Sequence, residues 1–341
     1  MTSNIKSYYK ITQLLKQHNF PFISLIPENE IPQTVNLIIT TDSEKHYVSK
    51  LNYLTLEEIE RMCDNFIEMG VKKIRLTGGE PLVRRDIIKL IKRLNSKKKI
   101  TNLKEITLTT NGSLLEKYAY DLKKGGVDRI NVSLDTINHI KYKKITRFGN
   151  LDKVILGIKE AKKNNITVKI NTVVLKNFNE DELEKLIYWT NKLEIDITFI
   201  EVMPMADTDT NRYLQFSPLN KIYDKLDKNF NFIKTNKNTG GPATYYISQK
   251  LSNKVGFITP LTNNFCANCN RVRISSTGKL YMCLGQNDYV DFREILRKDY
   301  SDDYIKEKIM YALKIKPQKH NFLIEENTKP YITRHMNVTG G

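Results

Sequence analysis

From residue 36 to about 201, apolar strand-like runs alternate with amphipathic helix-like runs, and few folds accept that order. The strand candidates are VNLIITT (35–41), KKIRLT (72–77), EITLTT (105–110), RINVSLD (129–135), TVKINTVVL (167–175) and IDITFIEVM (195–203). The segments between them carry helix punctuation. Thr55 and Glu58 make a capping-box pair, Gly70 ends that helix, KEAKKNN ends another, and NEDELEKLIYWTNKL starts at Asn179. Six strands separated by helices predict an α/β fold of βαβ units on a parallel sheet. Right-handed crossovers curl such a sheet into a partial or full barrel, with ligands at the C-terminal strand ends. The polar motifs TGGEP, TTNG and SLD each fall just after a strand, so all three share one rim.

After about residue 215 the alternation stops. TYYI, VGFITP, NRVRISS and KLYMCL read as short antiparallel strands, and YSDDYIKEKIMYALKI as a helix ahead of the tail RHMNVTGG. The expected organisation is an N-terminal extension (1–34), a barrel-like domain (35–215) and a C-terminal cysteine-bearing region (216–341). No run approaches a membrane span, and the N-terminus has no secretory pattern. Residence in the cytoplasm is expected; the basic, acid-poor N-terminus leaves a mitochondrial matrix address as the alternative. The net charge of +17 is mostly lysine spread along the chain, so it is a weak pointer to nucleic acid.

Three of the four cysteines, Cys266, Cys269 and Cys283, stand as C-x2-C-x13-C, while Cys63 is alone in a helix-like run and reads as a buried thiol. Without a secretory signal the trio points to metal or redox work. A closed zinc site needs a fourth ligand, for which only His320 and His335 offer themselves, far along the chain. An iron–sulfur cluster on three cysteines would instead keep one iron open to a ligand. Arg271 and Arg273 project to one face of a strand beside it, suited to a phosphate or nucleobase. A structural zinc ribbon with solvated arginines is the competing reading. In LTGGEPLVRRD, Gly78 and Gly79 permit close backbone approach, Glu80 offers a carboxylate for an ammonium group, and Pro81 stiffens the turn.

Together, GVKKIRLTGGEPLVRRD, TLTTNG, INVSLD, VKINTVV, FIEVMP, FCANCNRVRISSTGKLYMCL and the closing GG resemble the radical S-adenosylmethionine family. Within it they are most similar to the GTP 3′,8-cyclase branch of molybdenum cofactor biosynthesis. The resemblance implies a partial TIM-type (β/α)6 barrel with a small C-terminal region of antiparallel strands. It implies two [4Fe–4S] clusters, one cleaving S-adenosylmethionine and one binding GTP, which becomes (8S)-3′,8-cyclo-7,8-dihydroguanosine 5′-triphosphate. Gly78, Gly79, Glu80, Pro81, Ser133 and Met203 would hold S-adenosylmethionine. Lys73, Arg75, Thr109, Lys169, Arg271, Val272 and Arg273 would hold GTP, and Cys266, Cys269 and Cys283 the second cluster. The tail glycines Gly340 and Gly341 would reach the active site. A homodimer and a downstream cyclic pyranopterin monophosphate synthase are the implied partners; no nucleic acid and no membrane are expected.

Two departures stand out. The first cluster's C-x3-C-x2-C motif should follow VNLIITTD, but Asp42 runs straight into SEKHYVSKLNYLTLEEIE with no cysteine. Thr198 stands where the family has an arginine before FIE. Either a compact coding segment was skipped, or the chain is a catalytically silent relative that binds GTP or a partner through one cluster.

Overall fold

The computed structural model describes residues 36–40, 52–205, 212–236, 239–263, 266, 269–298, 300–320, 322, 324, 332 and 334–340. The extension 1–34, Asp42 with the stretch expected to carry the first cluster, and Gly341 lie outside the described residues.

Among the described residues, twelve strands form one sheet. They are β1 (Asn36–Thr40), β2 (Lys73–Thr77), β3 (Glu105–Thr110), β4 (Arg129–Ser133), β5 (Thr167–Val174), β6 (Asp196–Glu201), β7 (Ile233–Lys234), β8 (Thr244–Ile247), β9 (Val255–Ile258), β10 (Arg271–Ile274), β11 (Lys279–Tyr281) and β12 (Tyr289–Asp291). Their order is β12-β11-β10-β1-β2-β3-β4-β5-β6-β9-β8-β7. Strands β1 to β6 are parallel neighbours in sequence order, as the alternation predicts. β8 to β11 sit where the sequence places strands, β7 and β12 are additional, and the expected purely antiparallel pairing does not hold. β10 runs parallel beside β1 and β9 parallel beside β6, and each then turns into an antiparallel hairpin stack. The region after residue 215 therefore extends both edges of the barrel sheet.

The strands alternate in a way that assigns their faces. Ile74, Leu76, Ile106, Leu108, Ile130, Val132, Val168, Ile170, Ile197, Phe199, Val272 and Ile274 are buried in one apolar core. They meet the apolar stripes of helices such as Leu56–Glu68 (Ile59, Met62, Phe66) and Ile87–Lys97 (Leu90, Ile91, Leu94). The opposite face of the same strands is polar, and this is what positions the site.

Local signals behave as written. Thr55 Oγ1 accepts from Glu58 N at 3.1 Å while Thr55 N donates to Glu58 Oε2 at 2.7 Å, completing the capping box. Gly70 ends that helix at φ +97°, a backbone setting that favours glycine. Asn179 heads its segment as expected, before the short 3-10 turn Glu180–Glu182 that runs into the helix Leu183–Lys192, but its side chain is used otherwise. It gives no cap hydrogen bond; its amide bridges Asp135 O and Val173 O, and its Oδ1 accepts from Leu175 N. Asn179 thereby ties two strand ends together. Among the described residues no helix is long and apolar enough to cross a membrane.

Candidate active site

A cavity of about 400 Å³ opens on the polar face of the sheet. Its wall gathers Arg75 and Thr77 from β2, Thr109 from β3, Ser133 from β4, Lys169 and Asn171 from β5, and Arg271 and Arg273 from β10. These are i, i+2 residues, so the period of a strand alone puts them on one side. Gly78, Gly79 and Met203 line the rim, Gly241 and Pro242 close one side, and Met336 comes from the C-terminal segment. One cavity thus joins the glycine turn, Ser133 and Met203 to the cations Arg75, Lys169, Arg271 and Arg273.

Four singled-out residues lie behind this wall. The Glu80 carboxylate accepts from Thr110 Oγ1 (2.8 and 2.9 Å), Asn111 N (2.7 Å) and Leu82 N (3.1 Å), so it clasps the TGGEP turn to the TTNG turn. Pro81 opens the short 3-10 turn Pro81–Val83 and is buried. Val272 points into the apolar core between its two arginine neighbours. Lys73 shares β2's polar face with Arg75, where its ammonium donates to Thr239 O at 2.8 Å and pairs with Glu105 at 2.6 Å.

The electrostatics are lopsided. Among the described residues no carboxylate stands within ion-pair distance of Arg75, Lys169 or Arg273, and Nε of each arginine has no hydrogen-bond partner. Burial, then the charges of Arg129 and Arg271, lowers Arg75 to about 10. Burial, then Arg271, lowers Arg273 to about 9. Lys73 falls to about 8 through burial and then Arg129, and burial with Arg75 holds Lys169 well below the ordinary lysine range. Buried cations without counter-charge are costly, and a polyanion seated here would supply what they lack.

The sequence assigns no role to several wall residues, among them Asn171, Gly241, Pro242 and Met336, and shows Asp135 only as the end of the SLD motif. Asn171 lies two positions from Lys169 on the same face, a spacing the sequence displays. Asp135 lines the cavity with its Oδ1 accepting from Val173 N at 2.8 Å, and burial pushes its carboxyl up to about 6. Thr198, buried on β6 with an unpartnered Oγ1, lies 3.0 Å from where a Cβ on Gly256 would stand. The Tyr245 ring packs at the same glycine (2.9 Å), and Lys169 Nζ donates to Tyr245 Oη at 3.3 Å.

Cys269 lies next to β10, whose Arg271 and Arg273 line the cavity. Cys269 N donates to Cys266 O at 2.9 Å, closing a turn, and Arg271 Nη2 donates to Cys269 Sγ at 3.4 Å. Burial pushes the Cys269 thiol up, but Arg271 and Lys316 outweigh it and bring it down to about 7. Cys269 and Cys283 both act on the charges of Arg273 and Lys316, which puts the two sulfurs in one electropositive corner. Among the described residues no three His, Cys, Asp or Glu side chains are close enough to hold a single metal ion. A closed tetrahedral zinc site is therefore absent there, His320 included. A cubane makes a different demand, because each of three cysteines ligates its own iron and the sulfurs stand wider apart. Cys269 and Cys283 in one cationic corner, with Cys266 a turn away and all three uncrosslinked and half-exposed, fit that group.

The first cluster does not fit this chain. Beyond the trio its 341 residues hold only Cys63, which is fully buried with its thiol pushed far up by desolvation.

Residues 40–189 match the Radical SAM superfamily and residues 195–322 match Molybdenum Cofactor Synthesis C. Residues 1–69 also match a Response regulator receiver-like domain. A Brucella ovis protein named GTP 3′,8-cyclase is 48% identical over 296 residues, 86% of this chain and 86% of its own length. One of the same name from Nitrobacter winogradskyi is 46% identical over 295 residues, again 86% of each. In fold, the chain resembles Streptococcus suis SuiB bound to S-adenosylmethionine. The TM-score is 0.56 at 17% identity, over 88% of this chain and 69% of that one. Arg75, Lys169, Arg271, Arg273 and the three cysteines all fall within the two matched family regions, and the chain belongs to the GTP 3′,8-cyclase family of radical S-adenosylmethionine proteins.

Proposed function

We propose that this protein acts at the GTP 3′,8-cyclase step of molybdenum cofactor biosynthesis, with an iron–sulfur cluster and S-adenosylmethionine as its cofactors. The observation that carries the reading is the single cavity in which the Gly78–Gly79 turn, Ser133 and Met203 face Arg75, Lys169, Arg271 and Arg273. The first group would hold S-adenosylmethionine, the second the triphosphate, and Thr109 the nucleoside. Cys266, Cys269 and Cys283 would hold the cluster, whose open iron supplies a Lewis-acid position for the guanine. The chain's own part is to orient GTP, screen it from water and neutralise its phosphates. The residues that would hold the first cluster, the one that supplies the radical in the family, are missing from this chain. That same lack is the one observation favouring a second reading, a GTP-binding relative with a single cluster. A cytoplasmic setting, a homodimer and hand-over of the product to cyclic pyranopterin monophosphate synthase complete the proposal.

The test is anaerobic reconstitution followed by GTP titration and an assay for S-adenosylmethionine cleavage. GTP binding is expected under either reading, and cleavage with a cyclised nucleotide decides for the cyclase. The pH dependence has a fixed sign. In the free protein burial brings the Lys73 ammonium to about 8, and an anion nearby favours its protonated form, while the guanidiniums stay charged. Binding must take up protons above about pH 8, and affinity must fall as pH rises through 8 to 10. Calorimetry in buffers of different ionisation heat reads the uptake directly. Binding that strengthens over that interval would contradict the assignment of Lys73 to the phosphates.

A further inference from the structure

Lys316 follows the helix Asp302–Lys314, in a chain so rich in lysine that its sequence position attracts no notice. In the structure its ammonium makes three contacts at one point. It donates to Met282 O at 2.6 Å and to Arg271 O at 3.1 Å, and it stands 3.9 Å from Cys269 Sγ. The two carbonyls belong to the residue just before Cys283 and to the strand that carries both arginines. One side chain therefore links the backbone on either side of the cysteine corner and leaves its charge against a sulfur. The next carbonyls along, those of Cys283 and Leu284, are held by Arg334, whose guanidinium also lies over the Tyr281 ring at 4.5 Å. Three successive carbonyls around the third cysteine are thus gripped by cations of the C-terminal segment.

We propose that Lys316 is a positioning residue for the cluster on Cys266, Cys269 and Cys283, fixing Cys269 relative to Cys283 and raising the cluster's reduction potential. The inference rests on the cluster reading above. Its physics is simple. Adding an electron makes a cluster more negative, so an ammonium donating toward a ligand sulfur favours the reduced form, and hydrogen bonds and charge at the sulfurs are what set such potentials. The ammonium is also half of what keeps the Met282–Leu284 turn facing β10.

The experiment compares the full chain with its Lys316→Met and Lys316→Arg variants after anaerobic reconstitution. It measures iron content and the midpoint of a mediated one-electron titration followed by EPR. Lys316→Met should keep its iron and become about tenfold harder to reduce, ~59 mV lower in midpoint. Lys316→Arg, which keeps the charge and a donor, should stay near the parent value. If Lys316→Met cannot retain iron while Lys316→Arg can, the clamp is supported by the rescue. A Lys316→Met variant with full iron and an unchanged midpoint overturns the proposal, as does loss of iron in both variants. A parent chain that takes up no iron overturns the cluster reading itself, which separates the two failures.

Discussion

Replacing Arg273 with methionine is expected to raise the stability of the free protein and to abolish most of its GTP affinity. Arg273 is 6% exposed, its Nε has no partner among the described residues, and Arg271 and Arg75 oppose its charge. Exchanging a buried, poorly compensated charge for an apolar side chain of similar reach typically gains about 1–3 kcal/mol. In a chain of this size that is several degrees in Tm. GTP changes the sign of the effect. Removing one buried member of a charge pair costs about 2–5 kcal/mol, so affinity should fall roughly 30-fold or more. Differential scanning calorimetry of the free protein and GTP titration of the same preparation measure both. A variant that melts earlier and binds GTP normally would show that Arg273 serves the fold and not the ligand.

Gly340→Ala should release the tail from the rim while the barrel stays intact. Gly340 holds φ +71° and ψ 146°, a region almost reserved for glycine, where another residue costs of order 1–3 kcal/mol. A Cβ built there would stand 2.1 Å from Thr77 Cγ2, and Thr77 is a wall residue of the cavity. The strand beneath cannot yield, so the short helix Met336–Thr339, with Thr339 fully buried, must lift. Met336 would leave the cavity wall with it. Gly70→Ala is the control. Its φ is +97°, but a Cβ there meets nothing within 4 Å. It should cost about 1 kcal/mol of stability and leave ligand binding alone. Limited proteolysis of the C-terminus with GTP titration compares the two. Equal protection of the tail in Gly340→Ala and the parent would contradict this account of the terminal turn.

The barrel was legible because each strand announces itself twice, by β-branched content and by flanking helix signals. EITLTT matches Glu105–Thr110, and RINVSLD (129–135) starts with the observed Arg129–Ser133 and runs two residues past its end. The parallel docking of β10 on β1 was not legible. It joins Asn36 to Arg271 across most of the chain, and no local preference encodes such a register. The same split governs the site. TGGEP and the cysteine block carry short-range patterns, and the glycine turn and the two arginines that follow the CxxC pair line one cavity. Glu80 looked like a ligand for an ammonium because its sequence shows a carboxylate after two glycines. Only the fold shows Thr110 and Asn111 arriving to occupy it. Asp135 sits in the SLD motif that the sequence puts on the rim, but its burial, like the contacts of Lys316, comes from what tertiary structure brings beside it.

The central claim is that three C-terminal cysteines hold a cluster whose open iron meets a purine nucleotide, on a chain with ligands for one cluster only. Metal analysis of the anaerobically reconstituted protein, with EPR of the reduced sample before and after GTP, tests it directly. The account predicts about four irons per chain and a signal that changes when GTP is added. Stoichiometric zinc in place of iron, about eight irons, or a signal indifferent to GTP would contradict it.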